Sequence, residues 1–293
     1  MQRTADSKTS LRIALQKDGR LTDKTISLLE GIGLQFDNYK RSLMLKCRNF
    51  DVELLLIRDD DIPEYVQDGV CDLGFVGANV TAEMGADVTT LRGLEYGMCR
   101  LSLAAKKNGD IKTVADFEGK TIATSYPNLT RQFLEGKGIE SKIVTISGAV
   151  EIAPRLEVAD AVCDLVSTGN TLKANGLEEI ETIFESETEL IRTNKDLSPG
   201  KKKLIEKFLV RIDGHQQAGR SRYIMMNASE ENVDEIKEII PSLKSPTVMP
   251  LAEQNMVAIH TVIPIDKFWD VMEQLKSAGA SGIVILPIES MIV

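Results

Sequence analysis

Histidine is scarce in this chain of 293 residues, which contains two, His215 and His260. Neither sits near another metal ligand or a motif of the nucleophile-elbow type, so metallohydrolase and Ser-His-Asp chemistry are poor explanations of what the chain does. Cysteine is scarce too. Cys47, Cys71, Cys99 and Cys163 lie far apart in apolar surroundings with no CxxC pair, which fits reduced structural thiols better than a disulfide or zinc framework. No segment offers the ~18 uninterrupted apolar residues of a membrane span. Met1 to Ser10 is polar and mixed in charge, without the apolar region of a signal peptide, so a disordered tail (1–10) and a cytoplasmic protein are expected.

Positive charge is also in short supply. A formal net charge of -9 argues against nucleic acid as a main partner. Lys201-Lys202-Lys203 is the tight basic run; following Ser198-Pro199, it falls in the first turns of a predicted helix and reads as a solvated face. Familiar nucleotide signatures fail as well. Gly119-Lys120-Thr121 imitates the end of a P-loop, but Val114 stands where glycine is required and the triplet leads into a strand. No GxGxxG follows a predicted strand, so a dinucleotide site of that type is unsupported.

What is present is apolar, at 43% of residues, and enough to build two or three domains. Leu11 to Leu15, Val52 to Ile57, Leu73 to Val76, Leu101 to Ala105, Thr121 to Thr124, Ile143 to Ile146 and Val162 to Val166 read as short strands. Helical segments separate most of them: Asp23 to Leu29, Ile62 to Asp68, Leu129 to Glu135 and Ala149 to Val158. The alternation predicts an α/β fold with largely parallel sheets in two lobes, and a ligand at the carboxyl ends of the strands.

Asp160 to Leu172 is the segment richest in chemistry. A short strand carrying Asp160 and Asp164 runs into Ser167, Thr168, Gly169, Asn170 and Thr171. Gly169 permits positive φ, so backbone N–H groups can converge with three hydroxyls on a phosphate, while the acids suit ribose hydroxyls or a magnesium shell. An ordinary capped strand-to-helix turn explains the same residues. From Tyr223 the pattern changes: strands Tyr223 to Ala228, Thr247 to Leu251, Met256 to Val262 and Gly282 to Ile288 enclose helices Glu230 to Ile240, ended by Pro241, and Asp266 to Ala278. This is the ferredoxin-like βαββαβ order, with Ser229 and Asp266 as N-caps and Trp269 in a core or interface.

Taken together, these blocks resemble the long form of the ATP phosphoribosyltransferase family from Leu11 to Ile288. The residues that carry the likeness are Leu11 to Leu21, Arg58-Asp59-Asp60-Asp61-Ile62-Pro63, Asp72 to Gly77, Cys99 to Ala104, Ile122 to Pro127, Gly148 to Arg155, Asp160 to Leu172 and Tyr223 to Met226. The resemblance implies a two-lobed, type II periplasmic-binding-protein-like catalytic unit (lobe I, 11–98 and 185–214; lobe II, 99–184) and an ACT-like regulatory domain (220–293). It implies transfer of phosphoribosyl from phosphoribosyl pyrophosphate to N1 of ATP with Mg²⁺, held mainly by the substrate pyrophosphate, in the first step of histidine biosynthesis. It further implies L-histidine as feedback inhibitor, bound near Ser245 to Leu251 and Ala278 to Gly282, and a homohexamer that exchanges with dimers.

On that likeness, Ser167 to Thr171 hold the 5-phosphate, with Asp160 a weaker member of the group. Glu151 and Asp164 face the ribose hydroxyls or the metal-bound pyrophosphate and are the catalytic candidates. Lys17, Arg20, Arg58, Asp72, Tyr96, Arg100 and Tyr126 fall to the ATP side. Alternatives stay open residue by residue: Arg58 as a surface partner of Asp59 to Asp61, Asp72 in a tight turn, Tyr96 and Tyr126 as hinge lining. A two-lobed binding or sensing protein without turnover is the rival in another class. Leu129-Thr130-Arg131 faintly suggests a prephenate dehydratase, against which Gln132 counts.

Overall fold

In the computed structural model, which describes residues 10–37, 42–240 and 245–292, most apolar runs become strands where expected. The chain begins β1 (Leu11–Gln16), α1 (Thr22–Gly31), β2 (Met44–Lys46), β3 (Val52–Ile57), α2 (Ile62–Gln67), β4 (Leu73–Gly77), α3 (Ala78–Met84) and β5 (Val88–Gly93). It continues β6 (Cys99–Lys106), β7 (Thr121–Thr124), α4 (Pro127–Gly136), β8 (Lys142–Thr145), β9 (Ala161–Val166), α5 (Asn170–Ala174), β10 (Leu177–Ser186), β11 (Thr188–Thr193) and α6 (Pro199–Gly219). It ends β12 (Ser221–Ser229), α7 (Val233–Ile239), β13 (Thr247–Pro250), β14 (Met256–Pro264), α8 (Ile265–Ser277) and β15 (Ser281–Pro287). By contact density these elements form two units: one contains the residues up to Ser27 with Gln35–Lys202, the other Leu28–Leu34 with Lys203 onward.

The first unit holds two sheets, ordered β2-β3-β1-β4-β11-β5 and β10-β6-β9-β7-β8. They are mixed, which corrects the expectation of largely parallel sheets. β1, β3 and β4 are parallel, as are β7, β8 and β9, but β11 runs antiparallel to β4, and β6 antiparallel to β9 and β10. The chain leaves the first sheet by β5 into β6 and returns by β10 into β11; of these four, β6 and β11 run against the parallel sets, while β5, antiparallel to β11, and β10, antiparallel to β6, run with them. Every residue of β4 is buried, as befits a central strand covered on both faces. Cys71 and Cys163 lie in these interiors, where burial pushes each thiol up to about 12, so both stay protonated and inert.

The predicted helix Ala149 to Val158 is instead one 3-10 turn, Val150–Ile152, followed by turns. Ala149 enters it at φ 44 and Glu157 leaves at φ 58, both left-handed, and Pro154 supplies no N–H to continue a helix. Between the two sheets of this unit, Glu83 on α3 reaches the first turn of α4. Its carboxylate accepts the N–H groups of Asn128 (2.8 Å) and Leu129 (2.9 Å), which no helix carbonyl can pair. Glu83→Ala is therefore expected to lower stability by about 1–2 kcal/mol. Thermal unfolding followed by circular dichroism checks this, and an unchanged midpoint would remove the cap from the account.

In the second unit β12 to β15 form one antiparallel sheet, ordered β13-β14-β12-β15, the ferredoxin-like arrangement. Ile224, Met226, Ile259 and Ile263 point inward from the sheet onto Ile236, Phe268 and Leu275 of α7 and α8. One expectation fails and one holds in part: Pro264, not Asp266, occupies the N-cap of α8, whereas Ser229 does take the N-cap position of the 3-10 turn Glu230–Asn232 ahead of α7, though its hydroxyl accepts no cap bond. Trp269 is not core: it is 76% exposed, meeting Phe268 edge-on at 5.0 Å. Pro241 and residues 1–9 of the expected tail lie outside the described residues.

Candidate active site

Because the two parallel sets each point their carboxyl ends one way, the loops leaving those ends gather the chemistry. From the first sheet come Lys17 and Arg20 after β1 and Arg58 after β3. From the second come Tyr126 after β7, Glu151 after β8 and Ser167 to Thr171 after β9. The β9 loop is anchored by buried Val166 and Leu172 at its two ends. Gly169 sits at φ 78 as N-cap of α5 and gives no side-chain cap bond, so the turn needs glycine. The hydroxyls of Ser167, Thr168 and Thr171 make no hydrogen bond to any described residue.

Beneath this loop Asp164 is half-buried. Burial raises its carboxyl above the ordinary value of 3.8; the Leu165 N–H, donating at 2.8 Å, and Arg20 pull the other way, while Glu151 adds to the rise. Arg20 and Glu151 are thus each within electrostatic reach of Asp164, and Arg20 is also within reach of Cys99. Lys17, Arg20 and Arg58 form no ion pair at salt-bridge distance with any described residue, which leaves three exposed cations on the acidic chain. Arg58 does lower the carboxyl of Asp60, which burial, Asp59 and Asp61 raise.

A family model described as ATP phosphoribosyltransferase matches residues 58–214, and one described as HisG, C-terminal domain, matches residues 218–290. The chain belongs to the ATP phosphoribosyltransferase family. The curated ATP phosphoribosyltransferase of Parabacteroides distasonis is 46% identical over 283 residues, covering 97% of this chain and 100% of that protein. Its counterpart from Phocaeicola vulgatus is 45% identical over 282 residues, covering 96% of this chain and 99% of its own. Among solved structures, the ATP phosphoribosyl transferase (HisG:HisZ) complex from Thermotoga maritima superposes with a TM-score of 0.59 at 29% identity, covering 69% of this chain and 96% of that one. Family membership makes the chain an enzyme of the pentosyltransferase class.

Within this ATP phosphoribosyltransferase framework, two expected site residues lie elsewhere. Asp72 and Asp160 each stand just before a strand, at the amino ends of β4 and β9, opposite the gathering loops. Each does the same local work: Asp72 accepts the Arg12 N–H at 2.9 Å and Asp160 the Thr121 N–H at 2.8 Å, tying the start of one strand to its parallel neighbour. Asp72 also holds Lys201 at 2.8 and 2.7 Å, with side chains only 5% and 17% exposed. Lys201 is therefore a buried ion-pair partner and not part of a solvated face.

The other ATP-side residues are partly committed within the protein. The Thr25 hydroxyl donates to the Leu21 carbonyl at 2.8 Å, which leaves the Tyr96 phenol to donate to Thr25 at 2.7 Å, and burial pushes that phenol up to about 12. The Tyr126 hydroxyl accepts from Asn79 Nδ2 at 3.0 Å, and Asn79 Oδ1 accepts from the Ser186 hydroxyl at 2.8 Å. Arg100 is committed to Glu179 and the β9 loop. Its Nε and Nη2 donate to the two oxygens of Glu179 (2.7 and 2.5 Å), and Nη1 reaches the Ser167 carbonyl at 3.4 Å. Asn79, Ser186 and Glu179 carried no signal in the sequence; each owes its place to a partner far away along the chain.

Proposed function

We propose that the chain joins N1 of ATP to C1 of phosphoribosyl pyrophosphate with loss of pyrophosphate, as the committed step of L-histidine biosynthesis. The observation that carries the reading is the β9 loop, whose uncommitted hydroxyls and glycine turn stand above a half-buried Asp164 and beside Arg20. A phosphate on Ser167 to Thr171 places the ribose over Asp164 and Glu151, where the carboxylates accept from its hydroxyls. Displacement at the anomeric carbon passes through an oxocarbenium-like state, so the protein's work is alignment and charge stabilisation more than covalent chemistry. The same carboxylates also favour the positive charge that develops on the ribose. Lys17, Arg20 and Arg58 meet the anionic groups of ATP and the departing pyrophosphate. Mg²⁺ entering with the pyrophosphate supplies further neutralisation, and the hard oxygen donors of Asp164 and Glu151 suit it.

The tail is read as the regulatory part, binding L-histidine near Ser245 to Leu251 and Ala278 to Gly282 and assembling the chain into a hexamer that exchanges with dimers. Support comes from the outer face of its sheet, where Met249, Val284 and Leu286 are exposed and the Tyr223 hydroxyl bonds His260 Nδ1 at 2.7 Å. Inhibition requires histidine to bind the assembly states unequally. The test is absorbance of phosphoribosyl-ATP formed from ATP, phosphoribosyl pyrophosphate and Mg²⁺ with pyrophosphatase present. Turnover is expected, suppressed by L-histidine and reduced roughly tenfold or more in kcat/KM by Thr168→Ala, which removes one hydrogen bond to a charged group. Folded protein that binds anions without turnover would point to the binding-protein alternative.

A further inference from the structure

We propose that Arg100 and Glu179 are positioning residues that hold the Ser167 to Thr171 loop in its anion-accepting conformation. The inference rests on the reading of that loop as a phosphate seat. Arg100 lies on β6, whose partner β10 carries register shifts between Glu179 and Glu181 and again between Thr182 and Phe184. Such irregularities bend a strand and re-aim its side chains. The registered partner of Arg100 is Glu185, yet its guanidinium runs along the strand to Glu179, and the carboxylate grips it side-on through Nε and Nη2. This geometry fixes the guanidinium plane.

One nitrogen is left over, and its use decides the role. Nη1 donates to the Ser167 carbonyl, the first carbonyl of the loop. In a trans peptide the C=O and the following N–H point in opposite directions. Drawing the Ser167 carbonyl onto Arg100 therefore turns the Thr168 N–H away from Arg100 and leaves it for a ligand of the loop. Glu179 has a second contact with the turn: its Oε1 lies 3.4 Å from where a Cβ on Gly169 would stand, so it packs under the glycine that makes the turn. A bare carboxylate so close to an anion seat would oppose the ligand. Paired with Arg100 it does not, and Arg100 in turn holds the Glu179 carboxyl below the usual range. The pair thus shapes the loop without touching the substrate's reacting atoms.

The test uses full-length protein and ribose 5-phosphate as probe, with affinity measured by calorimetry and steady-state constants measured separately for each substrate. Glu179→Ala is expected to weaken ribose 5-phosphate binding roughly tenfold, Glu179→Gln, which keeps one acceptor, by less, and Arg100→Ala by at least as much as Glu179→Ala. The KM for ATP stays within about twofold in all three, because only one seat is disturbed. In an Arg100→Ala background, Glu179→Ala is expected to cost nothing further and to regain affinity, since it then removes an unpaired carboxylate. Unchanged ribose 5-phosphate affinity in Glu179→Ala, or parallel losses for both substrates with a lowered melting temperature, would overturn the proposal. If wild type binds ribose 5-phosphate, responds to these variants as stated and yet forms no phosphoribosyl-ATP, the transferase reading falls and the loop support stands. If wild type does not bind the probe, the inference falls.

Discussion

Asp164→Asn should cost the enzyme about a hundredfold in kcat/KM while leaving it no less stable than wild type. The loss follows from the proposed role: an ionised acceptor for ribose hydroxyls is worth about 1.5–3 kcal/mol per hydrogen bond, and the amide replaces it with a neutral group that misplaces a donor. The stability half follows from burial. Folding raises the Asp164 carboxyl above 3.8, chiefly by burial, so the folded chain holds that proton more tightly than the unfolded chain. Stability from this group therefore falls as pH rises from the ordinary carboxylate value through the raised folded value, and the ionised form is a standing cost above it. Asn carries no such charge. Melting temperatures of the two proteins between pH 4 and 8 should show wild type losing ground to Asp164→Asn as pH rises. A variant that loses both activity and stability at neutral pH would make Asp164 a structural residue.

Asp72→Ala is the opposite case, with stability lost and chemistry kept. It strands the largely buried ammonium of Lys201 and the N–H of Arg12 together. Breaking a buried pair from one side costs about 3–5 kcal/mol. At about 2–4 °C per kcal/mol the melting temperature should drop by on the order of 10 °C. Lys201→Met alone strands the carboxylate and should cost a similar amount, whereas the double substitution Asp72→Ala with Lys201→Met should recover much of the loss. Below the transition, kcat/KM should stay within about twofold of wild type, because Asp72 lies at the far ends of the strands. A drop in kcat/KM without unfolding would return Asp72 to the site.

These two aspartates show what could be read from the chain and what could not. The β9 loop and Asp164 were legible because Gly169, the flanking hydroxyls and a short apolar strand all lie within one local segment. Asp72 and Asp160 look equally suggestive on the page. The rule that ligands sit at the carboxyl ends of strands already argued against both, since each precedes its strand. The buried partnership of Lys201 with Asp72 was hidden behind a charge run that resembles many solvated ones. Glu179 was beyond reach for a different reason: its partner is set by the register and irregularities of β6 against β10, and β10, rich in glutamates and half-exposed, has little of a strand's usual composition. The tail was easier, because its helices carry clear apolar stripes and its strands alternate inward and outward along their length.

Trp269 has a practical consequence for anyone observing this protein in solution. It is the sole tryptophan, it stands largely in water on α8, and it belongs to the second unit. The chain therefore carries one intrinsic fluorophore of its kind, in a different unit from the β9 loop. Its emission, quenching and anisotropy report on the C-terminal sheet and helices, and a spectral change on adding a small molecule registers an event felt by the tail.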